Sequence, residues 1–265
     1  METATFLQTQ RVFTLDQAVR ALNPPGGRRA TLDRLKYYLQ TNRLKAVTRG
    51  VYATVPPGTD PSRFQPDRYL VASAVRPDGV FSHHAALELL GAAHSEWTTC
   101  SLFTKKRRPP LSLDGVRIEF LAFPPGLLRA RQAQLGTRKV ERLNFTLKVT
   151  GPERTLVDGF RQPARVGGVE ELVESAAGFS VLDLKLLRRL LEAYAEKTLW
   201  AAVGWFLERY QKTFFAPPDF LESLESRRPK SAQYLLRGQR GGTLLRRWNL
   251  ILPEAVAKAG EPDER

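Results

Sequence analysis

A helix with arginine and tyrosine opposite its leucines and glutamine on a flank can read DNA, and residues 28–49 hold such a set. Leu32, Leu35 and Leu39 recur at helical spacing and define one apolar stripe. With that stripe buried, Arg34, Tyr37 and Thr41 point the opposite way, Tyr38 and Gln40 fall on the flanks, and Thr31 lies nearer the buried side. Arginine can donate two hydrogen bonds to guanine, and glutamine matches adenine. Arg34 is therefore the leading base reader, with Gln40 later in the helix and off to one side; Thr41 suits a phosphate. Arg28 and Arg29 precede the helix on this reading, where phosphates meet both cationic side chains and the positive end of the helix. Lys45 and Arg49 fall on a following hairpin, placed to touch backbone phosphates. Asp33 is the awkward member: it accepts from cytosine or pairs with a nearby arginine.

Other residues invite a catalytic or metal reading. Glu153 and Asp158 are five apart and do not stack on one helix face. Thr150 and Glu153 have the spacing of a capping box, and Arg154 and Asp158, four apart, can pair along a helix. Those structural roles account for the charges without an active site. His83 and His84 are adjacent and point in different directions, and His94 lies beyond Gly91, so no metal site is expected. No P-loop pattern and no nucleophile–base–acid set stand out, and no cofactor is expected. Two further basic clusters, Lys105, Lys106, Arg107 and Arg108, and then Arg237, Arg240, Arg246 and Arg247, are either solvated surface or a second phosphate-binding face.

The elements that must position these groups follow from periodicity and turn residues. Thr14 caps a helix over 15–22, ended by Asn23-Pro24-Pro25-Gly26-Gly27; a second helix starts near residue 30 or 31 and runs to about 42. Residues 44–48 and 51–55 flank Arg49-Gly50 as a hairpin. Residues 2–12 carry only a weak pattern. The proline-rich run that begins at Pro56 marks a joint, giving a reader over 1–58, a linker over 59–68, a larger domain over 69–253 and a tail over 254–265. In the larger part, helices are expected near 69–75, 83–90, 152–160, 169–177, 181–195, 199–211 and 220–224, and strands near 97–104, 116–123 and 143–150. Strands first and helices later indicate an α+β fold, with a helix-turn-helix and hairpin ahead of a mixed domain of a small sheet plus helices. Trp200, Trp205 and Phe206 recur at near-helical spacing and read as core.

Bulk properties set the partner class. The 265 residues carry 41 Lys and Arg against 27 Asp and Glu, a formal charge of +14 that attracts polyanions. Residues 1–60 alone hold nine basic and four acidic side chains. The single cysteine, Cys100, excludes an internal disulfide framework and reads as a buried thiol. No apolar run approaches a membrane span and the first residues lack a signal-peptide layout, so a cytoplasmic location is expected.

Four ordered segments carry a resemblance. Residues 44–52, LKAVTRGVY, look like the wing of the AbiEi family of type IV antitoxins. Residues 151–158, GPERTLVD, resemble that family's domain signature; 167–172, GGVEEL, follows at a familiar distance, and 247–250, RWNL, resembles its C-terminal piece. Together they span about residues 12–253. The resemblance implies an N-terminal winged helix that represses its own operon, and a C-terminal domain that opposes a nucleotidyltransferase-fold toxin. Carried over by position, Thr31, Arg34, Tyr37, Lys45 and Arg49 are DNA contacts. The chain departs from the pattern where the helix ahead of the helix-turn-helix is short or missing, a gap that a homodimer on DNA or the C-terminal domain could cover. The expected function is a DNA-binding autorepressor and antitoxin that is not an enzyme. Its partners are a double-stranded operator, a toxin and no membrane. An enzyme, either a nuclease or a toxin-modifying transferase, and a toxin-sequestering module are the alternatives.

Overall fold

The computed structural model describes residues 2–236 and 238–258. Its first part runs α1 (Thr3–Thr9), β1 (Val12–Thr14), α2 (Leu15–Leu22), α3 (Gly27–Gln40), β2 (Leu44–Thr48) and β3 (Val51–Thr54). The strands form an antiparallel sheet in the order β1-β3-β2, with Val12 opposite Ala53 and Lys45 also opposite Ala53 across the other edge. The helix expected to be short or missing is present and short, the seven residues of α1. Its Phe6 and Leu7 join Phe13, Leu15, Leu22 and Leu35 in one apolar cluster, so this core closes without a second copy of the chain.

Alternation along these strands buries both faces of the sheet. Phe13, Leu44 and Tyr52 face the helices, whereas Val12, Val47, Val51 and Ala53 face the other way, into the second part of the chain. There they meet Tyr69, Leu70, Val71 and Ala72 of α4 (Arg68–Val75). The proline-rich run forms no regular element, but it does not separate two independent bodies, because a shared apolar core spans the joint.

After α4 come β4 (Val80–Ser82), α5 (His84–Leu89), β5 (Thr99–Thr104), β6 (Leu111–Leu113), β7 (Val116–Ala122), α6 (Pro125–Arg129), β8 (Thr137–Arg142) and β9 (Phe145–Thr150). They build a mixed six-stranded sheet, β6-β7-β5-β4-β9-β8, larger than the small sheet expected. Parallel register of β5 with β7 puts Cys100, Leu102, Ile118 and Phe120 on the α4 side. Ser101, Phe103, Glu119 and Leu121 lie on the opposite side. Cys100 is buried, and burial pushes its thiol pKa up.

The helical half comprises α7 (Pro152–Arg161), a short 3-10 turn (Pro163–Arg165), α8 (Val169–Ala177), α9 (Leu184–Tyr194), α10 (Lys197–Arg209), α11 (Gln211–Phe214) and α12 (Pro218–Glu225). Trp200, Trp205 and Phe206 sit in its core. A three-stranded sheet missed by the sequence reading, β10 (Gln233–Tyr234), β11 (Thr243–Leu245) and β12 (Leu250–Leu252), closes it; Trp248 packs on α10 and donates Nε1–H to Glu208 at 2.6 Å. The supposed tail opens with α13 (Glu254–Lys258), whose Val256 is buried. No helix among the described residues is long and apolar enough to cross a membrane.

Candidate nucleic-acid interface

Thr14 fixes the start of α2. Its hydroxyl accepts from Gln17 N–H while the Gln17 side chain accepts from Thr14 N–H, a complete capping box. Asn23 ends α2 in a left-handed conformation (φ 37°), and Gly26 starts α3 at φ 88°, a conformation that favours glycine. α3 therefore begins a turn earlier than its sequence pattern suggested, because Gly26 rather than a polar side chain sits at the N-cap. Arg28 and Arg29 lie inside the first turn instead of ahead of it.

Leu35 is fully buried, with Leu32 and Leu39 partly buried beside it, which turns Arg34 and Tyr37 outward; Tyr37 is 57% exposed. Arg29, Arg34, Gln40 and Thr41 are exposed as well. Arg34 and, on the β2–β3 turn, Arg49 have no hydrogen-bonded or acidic partner among the described residues, whereas Arg29 makes no hydrogen bond but lies near enough to Asp33 to help lower its pKa. Thr41 keeps its hydroxyl on the Tyr37 carbonyl at 2.9 Å. Asp33 pairs with Lys36 at 2.9 Å rather than with an arginine, and that hydrogen bond lowers its pKa.

Thr31 and Lys45 need correction as contacts, and Tyr38 and Arg28 are engaged by other side chains. Thr31 is fully buried and donates to the Gly27 carbonyl at 3.0 Å. Tyr38 is half-buried against the core, with the Arg43 guanidinium 5.3 Å from its ring centre. Arg28 remains exposed but is paired with Asp16 at 2.5 Å. Lys45 faces the second part of the chain, where Nζ donates to Asp114 at 2.9 Å and to the Phe64 carbonyl at 3.0 Å. A reading of β2 as half solvated assigns Lys45 to the solvent side; because both sheet faces are covered, that side meets protein. Exposed Arg20 and Arg43 add to the same unit and were not singled out, since neither lies on the outward line of α3.

The whole fold is similar to a solved structure, "Crystal structure of RV2827C protein from Mycobacterium tuberculosis", at a TM-score of 0.61 and 18% sequence identity. The match covers 94% of this chain and 89% of that one. At that identity the likeness is one of fold. No protein-family model matches the chain, and no curated protein does.

The signature segment 150–158 is structural in its contacts, though not as a capping box. Pro152 takes the first helical position and makes Gly151 the N-cap, leaving Thr150 in β9. The Thr150 hydroxyl then meets the Thr155 hydroxyl at 2.8 Å, and Glu153 accepts from Asp183 N–H at 2.8 Å. Arg154 is completely buried beside the stacked rings of Phe103 and Phe123. It donates to the Ala133 and Leu135 carbonyls and lies 3.4 Å from Asp158, which also accepts from Tyr194 at 2.5 Å. Burial raises the Asp158 pKa, against the pull of Arg154. Glu153 and Asp158 thus face protein, not a solvent-filled cleft.

The histidines separate. His83 lies against Phe103, and His84 sits between Glu88 (3.1 Å) and Glu171 (3.6 Å); His94 pairs with Glu174. Of the other basic clusters, Lys105, Lys106, Arg107 and Arg108 are exposed in the loop after β5. Arg240 and Arg246 are exposed beside the small sheet. Arg247 is not free: it pairs with Glu208 at 2.5 Å and Glu225 at 2.9 Å. Arg237 lies outside the described residues. No hydrogen bond or ion pair among the described residues joins the two clusters.

Proposed function

We propose that this chain is a DNA-binding transcriptional autorepressor whose residues 1–58 form a winged helix-turn-helix, with α3 as the reading helix and the β2–β3 hairpin as the wing. The observation that carries the reading is the outward face of α3. Arg29, Arg34, Tyr37 and Gln40 stand exposed there, and Arg34 has no acid paired to it among the described residues. Such a face fits a major groove, with Arg34 donating to a guanine edge, Arg29 and the first turn of α3 on phosphates, and Arg49 on the backbone beyond the wing. The net charge of +14 supplies sequence-independent attraction. Lys45 belongs to the scaffold in this account.

The resemblance of residues 44–52, 151–158, 167–172 and 247–250 to AbiEi antitoxins supports a second role, countering a nucleotidyltransferase-like toxin. The burial of Glu153 and Asp158 favours that reading over an enzyme built on the signature segment. The test is to footprint the protein on the DNA upstream of its own gene, with a scrambled duplex alongside. Protection of a discrete site is the expected result; equal affinity for both duplexes defeats the proposal.

A further inference from the structure

A second concavity lies far from α3 in sequence. A cleft of about 1340 Å³ opens between the polar end of the six-stranded sheet, the C-terminal end of α7 with its 3-10 turn, the start of α10, and β10. Thr99, Ser101 and Glu119 form one wall, because β5–β7 register turns Ser101 and Glu119 away from the α4 side. Four cations line it, Arg161, Arg165, Lys197 and Lys230, against two acids, Glu119 and Glu196. Those acids are already engaged. Glu196 accepts from Arg161 Nε at 2.7 Å, and Glu119 accepts from Arg165 Nη1 and from Arg117. Each pair holds its guanidinium in place while both Nη groups of Arg161 and the Nη2 of Arg165 keep their donors unspent. The side chains of Lys197 and Lys230 have no partner among the described residues.

Two further features point to an anion. Glu196 is the N-cap of the 13-residue α10, but its side chain makes no capping bond and goes to Arg161 instead. The first turn, whose Lys197 and Thr198 line the cleft, is thereby left without a side-chain cap. Next to the wall is His83, fully buried at the strand-to-helix junction with φ 57° and ψ −133°, a sparsely populated conformation. Burial above all, and then the charges of Arg165, Arg154 and Arg161, push its pKa down to about 3. Aromatic rings complete the lining: Trp97, and Tyr234, which is 46% exposed.

We propose that this cleft binds a nucleotide unit, a phosphate with its base, carried by a free nucleotide or by single-stranded nucleic acid. The cations and the α10 amides take the phosphate. Trp97 or Tyr234 takes the base face, and Thr99 offers a hydrogen bond to its edge. The cleft exceeds the roughly 300–1,000 Å³ of an ordinary small-molecule site, which suits more than one nucleotide. The aromatic rings favour this occupant over an acidic peptide, which would use only the charge.

The test uses the full chain and fluorescein-labelled hexauridylate, followed by anisotropy at fixed salt. Lys197→Glu with Lys230→Glu is expected to weaken hexauridylate binding at least tenfold, with duplex operator affinity within twofold. Tyr234→Ala should weaken hexauridylate several-fold. Both lysines are exposed, so melting should be unchanged; Lys197→Gln with Lys230→Gln gives a milder loss in the same direction. Arg34→Ala should leave hexauridylate binding intact, so failure here and failure of the duplex reading are separable. Competition by ATP assigns a free nucleotide, and competition by unlabelled hexauridylate alone assigns a strand; either supports the cleft. Absence of binding, binding untouched by the charge reversals, or equal displacement by a deca-glutamate peptide overturns the proposal.

Discussion

Arg34→Ala and Lys45→Ala separate the reading surface from its scaffold. Arg34 is exposed and unpartnered, so its truncation removes nothing that holds the fold. Its loss should cost about 1–3 kcal/mol of operator binding, roughly 5- to 150-fold, and relax specificity at one base. Melting should not move. Lys45 behaves in reverse. Its side chain is 32% exposed and that of Asp114 35%, so the ion pair is screened and contributes about 0.2–1 kcal/mol. With the hydrogen bond to the Phe64 carbonyl added, Lys45→Ala should cost about 1–2 kcal/mol of stability, roughly 2–6 °C in a chain of this size. Operator affinity should stay within twofold. The assays are an anisotropy titration of operator and scrambled duplex at one salt concentration, and a calorimetric melt of each variant. If Lys45→Ala weakens every duplex as much as Arg34→Ala weakens the operator, the orientation argued for β2 is wrong.

Three more outcomes follow from the packing. A Cβ on Gly204 would lie 2.1 Å from Trp248 Cζ3, and that ring is buried and tied to Glu208, so Gly204→Ala should cost about 2–3 kcal/mol despite a gain in helix propensity of about 1; a melt no lower than wild type refutes this. Arg154→Met strands a buried Asp158 and should cost about 3–5 kcal/mol, with Arg154→Met/Asp158→Leu recovering part of it in urea unfolding; a double variant worse than the single counts against the pair. His83 titrates near 6.5 when unfolded and about 3 when folded, so the unfolded chain binds the proton the folded chain refuses. The stability it contributes is full above about pH 6.5 and is lost toward pH 3 at roughly 1.4 kcal/mol per unit, and His83→Gln should flatten that acid limb in melts from pH 7 to 4.

Much of the local structure was legible because the signals are local. Thr14 and Gln17 are three apart, and the capping box they promise is formed. The leucines of α3 repeat at helical spacing, and the outward position of Arg34 and Tyr37 follows from that spacing alone. The alternation of residues 116–120 marked β7, and Trp200, Trp205 and Phe206 were readable as core. The signal failed where one residue shifts the frame. Thr150 and Glu153 have capping-box spacing, yet Pro152 moves the cap to Gly151 and sends both side chains elsewhere. Similarly, a glycine N-cap placed the start of α3 a turn earlier than a search for polar caps does.

Chain order and side-chain period thus fixed which elements form and which face of α3 turns from its own leucines. They could not say what covers the far face of a three-stranded sheet, since that depends on α4, which lies beyond a proline-rich run. Lys45 was misplaced for that reason, whereas the buried side that spacing gives Thr31 is where it lies, with its hydroxyl on the Gly27 carbonyl. The basic cleft was equally out of reach: Arg161, Arg165, Lys197 and Lys230 meet only when α7, α10 and β10 pack around the end of the sheet. Short-range spacing governs hydrogen bonds within an element. Convergence of distant charges is set by packing, which no periodicity records.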